Sequence, residues 1–141
     1  MRIGIVQGPN LNRLGLRNPA KYGTRTLTDI IADIDRTGTD LGFDAVHTQS
    51  NHEGDLVDWV HAAEVDAFVV NPAGLTPVGY SLLDALKDST RPWAVVHISQ
   101  FHAIDGRDRE DIFAPYATLY IAGAGWIGYS LACRALAQDA P

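Results

Sequence analysis

Five short apolar runs, four of them followed by a stretch with helical spacing, recur along this 141-residue chain, and that alternation leaves few folds open. The runs are residues 2–7, 43–48, 67–70, 93–96 and 118–122. Each is too short for a buried helix and is bounded by Gly, Pro, Asn or Ser, so each reads as a strand. Leu27, Ile30, Ile31, Ile34 and Leu41 share one face of a helix over 27–41. Thr26 with Asp29 three residues on forms a capping-box signal at its start, and Gly42 stops it. Leu56, Val57, Val60 and Ala63 mark a second helix over 54–64; Tyr80, Leu82, Leu83 and Leu86 a third over 78–88; a fourth spans 126–138. Strands alternating with helices at this spacing predict one α/β domain over 1–141, a flavodoxin-like three-layer sandwich. Its five-stranded parallel sheet is expected in the order 2-1-3-4-5, with a crevice where strands one and three part.

Charge and composition narrow the function. The net charge of -6, without a basic stripe, argues against a nucleic-acid partner. No apolar run approaches a membrane span, and residues 1–20 lack a cationic start followed by an apolar segment, so neither a membrane anchor nor a signal peptide is expected. Cys133 is the one cysteine, which excludes an internal disulfide and any multi-cysteine metal site. It sits in a helical pattern and reads as a small buried hydrophobe in a reducing, cytoplasmic setting.

The chemistry gathers at strand ends. Ile3–Val6 runs into Gly8-Pro9 and then a polar loop holding Asn10, Asn12, Arg13, Arg17 and Tyr22. Asn71 follows strand three, and His97-Ile98-Ser99 follows strand four. In a parallel sheet these ends share one edge, so the groups converge. Each also has a plain structural reading. Asn71 before Pro72 suits a strand terminator, His97 a satisfied structural histidine, Tyr22 a loop anchor, and Glu53 a cap on the second helix. As a base, Tyr22 needs its phenol pKa lowered from about 10, and Arg17, five residues upstream, can favour the phenolate. His52 has no metal partner at ligand spacing, and His47 and His61 read as strand and helix positions. Gly123-Ala-Gly-Trp-Ile-Gly only mimics a dinucleotide fingerprint, because no acidic residue follows at the right distance.

Taken together, GPNLN, the R-N-P-x-x-Y-G segment, QSNHEG, N-P-A-G, HIS and the closing G-x-G-x-x-G-Y segment resemble type II 3-dehydroquinate dehydratase, in order and over nearly the whole chain. The resemblance implies a cofactor-free dehydration of a small cyclic ketone in the shikimate pathway. It implies that Tyr22 removes a proton beside the ring ketone while Arg17 keeps it phenolate. Asn10 would hold a water against the enolate, and His97 would act as acid for the leaving hydroxyl. Asn71 and the Ile98-Ser99 backbone would hold substrate oxygens. It further implies a dodecamer built of trimers, with Asp84 reaching a neighbouring site.

The chain departs from that pattern at five places. Thr76 is followed by Pro77 instead of histidine, and Val95 stands where a carboxylate orients the strand-four histidine. Ile104 and Asp108 stand where the family has arginines, and Leu83 replaces a helix arginine. Arg107 and Arg109 flank Asp108 and would compensate if the loop shifts by one residue. Three readings therefore stand: the ordinary dehydratase, a relative that enolises a less anionic ketone in a site made apolar by Pro77, Val95 and Ile104, and a non-catalytic ring.

Overall fold

A computed structural model describes residues 1–138. The elements run β1 (Arg2–Gln7), α1 (Pro19–Tyr22), α2 (Leu27–Leu41), β2 (Asp44–Gln49), α3 (Glu53–Ala62), β3 (Ala67–Asn71), α4 (Tyr80–Asp88), β4 (Trp93–His97), α5 (Phe101–Ile104), β5 (Leu119–Ala122) and α6 (Gly128–Gln138). The five strands are parallel in the order β2-β1-β3-β4-β5, as the alternation predicts.

Successive strand residues face opposite sides of the sheet, so each face collects its own core. Ile3, Ile5, Val69 and Val96 meet Ile30 and Ile34 of α2 and Tyr129, Cys133 and Leu136 of α6. Val6, Phe68, Val70 and Val95 meet Leu56 and Val60 of α3 and Leu82, Leu83 and Leu86 of α4. Every residue of β3 and β4 is buried, whereas β2 and β5 are half-covered edges. Cys133 is fully buried, and burial pushes its thiol up to about 12. No described helix is long and apolar enough to cross a membrane.

Local signals set the helix ends. Thr26 Oγ1 accepts from Asp29 N at 3.1 Å, and Asp29 Oδ2 accepts from Thr26 N at 3.0 Å, completing the capping box. Gly42 closes α2 at φ 80°, a left-handed geometry that disfavours a side chain.

Three differences from the sequence reading bear on the site. Strands three and four each run one residue further, so Asn71 and His97 are the last strand residues rather than the first loop residues. The loop before α2 contains the short helix α1, started by Asn18 Oδ1 accepting from Ala20 N at 3.0 Å. The segment after β4 contains α5, where Gln100 Oε1 accepts from Ala103 N at 3.0 Å. Single turns held by one capping amide leave no hydrophobic period to read.

Glu53 caps a different helix from the one expected. It is the first residue of α3, but its Oε2 accepts from Leu82 N at 3.2 Å, in the first turn of α4. Gly79, which precedes that helix, has no side chain to do this. Glu53→Ala is expected to lower stability by about 1 kcal/mol, the usual worth of a lost N-cap. A urea melt would read this as a lower midpoint at unchanged slope.

Candidate active site

β1, β3 and β4 lie side by side, and a cleft of about 490 Å³ opens where they end. Gly8 N donates to Asn71 O at 2.9 Å just past the ladder. A Cβ on Gly8 would lie 2.4 Å from Pro72 O, so only glycine lets the two strands stay together up to the cleft. Asn10 follows in the left-handed region, φ 69°, which asparagine tolerates better than most residues. Its backbone N–H donates to Asn51 Oδ1 at 2.9 Å, which ties the polar segment after β2 to the site.

Arg17 and Tyr22 form a pair over the cleft. Arg17 Nη2 donates to the Tyr22 hydroxyl at 3.3 Å, and Arg17 Cζ stands 4.3 Å from the ring centroid. Both side chains line the cleft. Next to them, Lys21 Nζ reaches Asp105 Oδ1 at 3.0 Å, joining α1 to the turn after α5. Partial burial opposes the Lys21 charge, but its contacts with Asp105 and with the Tyr22 oxygen together outweigh that, so the ammonium pKa lies above its ordinary value. Both partners are about one-quarter exposed, so the pair adds little stability; its consequence is to hold α1 across the opening.

His97 has a partner that the sequence reading did not provide. Its Nε2 lies 2.7 Å from Asp111 Oδ2, with the histidine and aspartate side chains 7% and 2% exposed. The absence of a carboxylate at position 95 therefore does not leave His97 unpaired. Val95 is fully buried in the core on the α3–α4 side. Phe101 stacks on the imidazole at 4.9 Å between centroids, and Tyr120 meets it edge-on at 5.7 Å. Burial, reinforced by the Asp111 charge, pushes the Tyr120 phenol up to about 12.

Asn71 is fixed from below. Its Oδ1 accepts from Ala73 N at 3.1 Å, and its Nδ2 donates to the Tyr129 hydroxyl at 2.7 Å. Tyr129 in turn donates to Gln7 Oε1 at 2.7 Å. Burial drives the Tyr129 phenol pKa upward despite both hydrogen bonds, so the hydroxyl stays neutral. One Nδ2 hydrogen of Asn71 is left for the cleft.

Of the residues singled out from sequence, Asn10, Arg17, Tyr22, Asn71, His97, Ile98, Ser99 and Arg109 line this one cleft. Arg107 does not; it borders a separate hollow, which Arg109 also lines. Asp84 lies exposed on α4, outside the cleft of its own chain. Among the departures, only Pro77 faces the cleft. Ile104 is 47% exposed outside it, Leu83 is buried beneath α4, and Asp108 borders the separate hollow. The expected apolar site built from Pro77, Val95 and Ile104 does not form, which removes the ground for a less anionic substrate.

Asp111, Lys21 and Asp105 were missed. Asp111 carried one legible signal: an aspartate two and three residues before backbone amides it can cap. Nothing local linked it to His97. The cleft thus gathers two guanidiniums, Arg17 and Arg109, against the carboxylate of Asp105, which Lys21 already pairs. In a chain of net charge -6 this favours an anion at that edge.

Both the sequence and the fold match known proteins. Residues 1–137 match the dehydroquinase class II family. The chain is 44% identical over 140 residues to 3-dehydroquinate dehydratase 1 of Corynebacterium efficiens, covering 98% of this chain and 93% of that protein. It is 41% identical over 138 residues to 3-dehydroquinate dehydratase of Mycobacterium tuberculosis, covering 96% and 94%. The crystal structure of type II dehydroquinase from Propionibacterium acnes superposes with a TM-score of 0.91 at 36% identity, covering 98% of this chain and 97% of that one. A match of fold, length and sequence on this scale leaves one assignment: the chain belongs to the class II dehydroquinase family.

Proposed function

We propose that this chain dehydrates 3-dehydroquinate, the reaction its relatives are named for, and so forms 3-dehydroshikimate. The observation that carries the reading is the Arg17–Tyr22 pair and the paired His97 lining one cation-rimmed cleft. The Arg17 guanidinium stabilises negative charge on the Tyr22 oxygen. That oxygen takes the proton beside the ketone, and the electron pair moves onto the ketone oxygen as an enolate. Asn10, through a bound water, stabilises the enolate. The enolate then collapses; the bond to the leaving oxygen breaks with its electron pair on oxygen, which takes a proton from His97 and departs as water. Proton return from Tyr22 to His97 through solvent restores the starting state. Asn71 and the Ile98-Ser99 segment hold substrate oxygens, and Arg109 meets the substrate's polar groups in the role for which Arg107 was the other candidate.

Purified protein with 3-dehydroquinate should generate the enone absorbance of the product; no turnover at millimolar substrate would end this reading. Arg109→Ala is expected to raise KM about tenfold at nearly constant kcat, as loss of one charge-assisted hydrogen bond does. A comparable fall in kcat would instead place Arg109 in the chemistry.

The reading extends to a cytoplasmic enzyme of the shikimate pathway, assembled as a dodecamer of trimers. Asp84, exposed on α4, is free to reach a neighbouring subunit's cleft. Light scattering would give a mass twelve times that of the chain; a monomer with full activity would exclude the assembly and the role of Asp84.

A further inference from the structure

We propose that Asp111 is the positioning residue for His97, fixing which ring nitrogen faces the substrate. The proposal rests on the dehydratase reading for its kinetic consequence, but not for its geometry.

Asp111 is built to hold one orientation. Its Oδ1 accepts from Phe113 N at 2.9 Å and Ala114 N at 3.1 Å, so the carboxylate closes a turn on its own backbone. That turn is pinned on both sides. Ile112 N donates to Thr76 O at 3.1 Å, and the fully buried Phe113 ring meets Trp93 edge-on at 6.4 Å. Oδ2 is thereby aimed at His97 Nε2, 2.7 Å away. A buried carboxylate needs partners for its charge, and these three contacts supply them.

The consequence falls on the other nitrogen. An ionised carboxylate only accepts, so the hydrogen shared with it sits on Nε2. In the neutral ring Nδ1 then carries the lone pair. Nδ1 finds no partner among the described residues and is not one of the sealed, unpartnered buried atoms, while the ring lines the cleft. Phe101 stacked on one face and Tyr120 against the edge keep the ring from turning. Asp111 therefore presents Nδ1 to the cleft, and it stabilises the imidazolium whose Nδ1–H goes to the leaving oxygen. It does so from the segment after α5, not from a strand beside His97.

Asp111→Asn tests this. Its Oδ1 can keep both backbone bonds, so its amide nitrogen replaces Oδ2 against Nε2. Two donors cannot face each other, and the neutral ring must move its hydrogen to Nδ1. Nitrogen-15 spectra of the ring, assigned by the signal lost in His97→Gln, should show hydrogen on Nε2 in the unaltered protein and on Nδ1 in Asp111→Asn. With 3-dehydroquinate, kcat should fall about 100-fold, the lower end of what positioned acid–base catalysis contributes, while KM stays within about threefold. A neutral ring bearing its hydrogen on Nδ1 in the unaltered protein would overturn the proposal. So would an unchanged kcat in a folded Asp111→Asn, or a loss confined to KM. If Asp111→Asn does not fold, the spectrum of the unaltered protein still decides. If the unaltered protein shows no turnover, the dehydratase reading fails, whereas the tautomer exchange continues to test the pairing.

Discussion

Tyr22→Phe should lower kcat about 1000-fold with 3-dehydroquinate, within the range that a positioned base supplies. The substitution removes one oxygen and little else, because the Tyr22 ring is half-buried against the core beneath α1. The Arg17 guanidinium can still stand over the ring, where it now sits 4.3 Å from the centroid, so the loop keeps most of its contacts. KM should therefore move far less than kcat, the pattern of an interaction used in the transition state. The pair should also be strongly non-additive. Arg17→Met alone should cost activity by removing the charge 3.3 Å from the phenol oxygen, yet add little once that oxygen is gone. A Tyr22→Phe protein that turns over as fast as the unaltered one would remove the enolising base from the mechanism, and with it the reason for the Arg17 contact.

The largest expected stability change is at Tyr129→Phe. The Tyr129 hydroxyl accepts from Asn71 Nδ2 and donates to Gln7 Oε1, both at 2.7 Å, in a fully buried position. Removing it strands a donor on Asn71 and an acceptor on Gln7. Each of the two stranded buried groups costs about 1–3 kcal/mol, so a loss of about 2–6 kcal/mol is expected. Gln7 Nε2 already lacks a partner among the described residues, so the glutamine has no satisfied end to fall back on. Denaturant melts would show the loss as a lower midpoint. The same change should raise KM, because Asn71 would be held only through its Oδ1 bond to Ala73 N. Unaltered stability would mean that Asn71 and Gln7 re-pair directly when the hydroxyl leaves.

Both effects start from residues at the sheet edge, and they differ in how visible they are from sequence. Tyr22 and Arg17 lie five residues apart in one loop, and a single short helix brings them together. Tyr129 and Asn71 are 58 residues apart, and Tyr129 and Gln7 are 122 apart. Their meeting depends on α6 crossing the sheet beneath the ends of β1 and β3.

The sequence by itself determined the order of the five strands and four longer helices and the edge at which the polar groups gather. These follow from short-range causes: a period of two or 3.6 residues, a Thr26–Asp29 cap, a glycine at φ 80° after α2. Parallel pairing then places every strand's C-terminal end on the same side, so Asn10, Asn71 and His97 share a cleft wherever their side chains turn. Only the tertiary structure decided the partners. It gave His97 to Asp111, 14 residues on, Glu53 to the start of α4, 29 residues on, and the cleft to Arg109 rather than Arg107. No periodicity carries such choices. They depend on where closed loops set a carboxylate or a guanidinium in space, and on the cost of leaving a buried charge or amide without a partner.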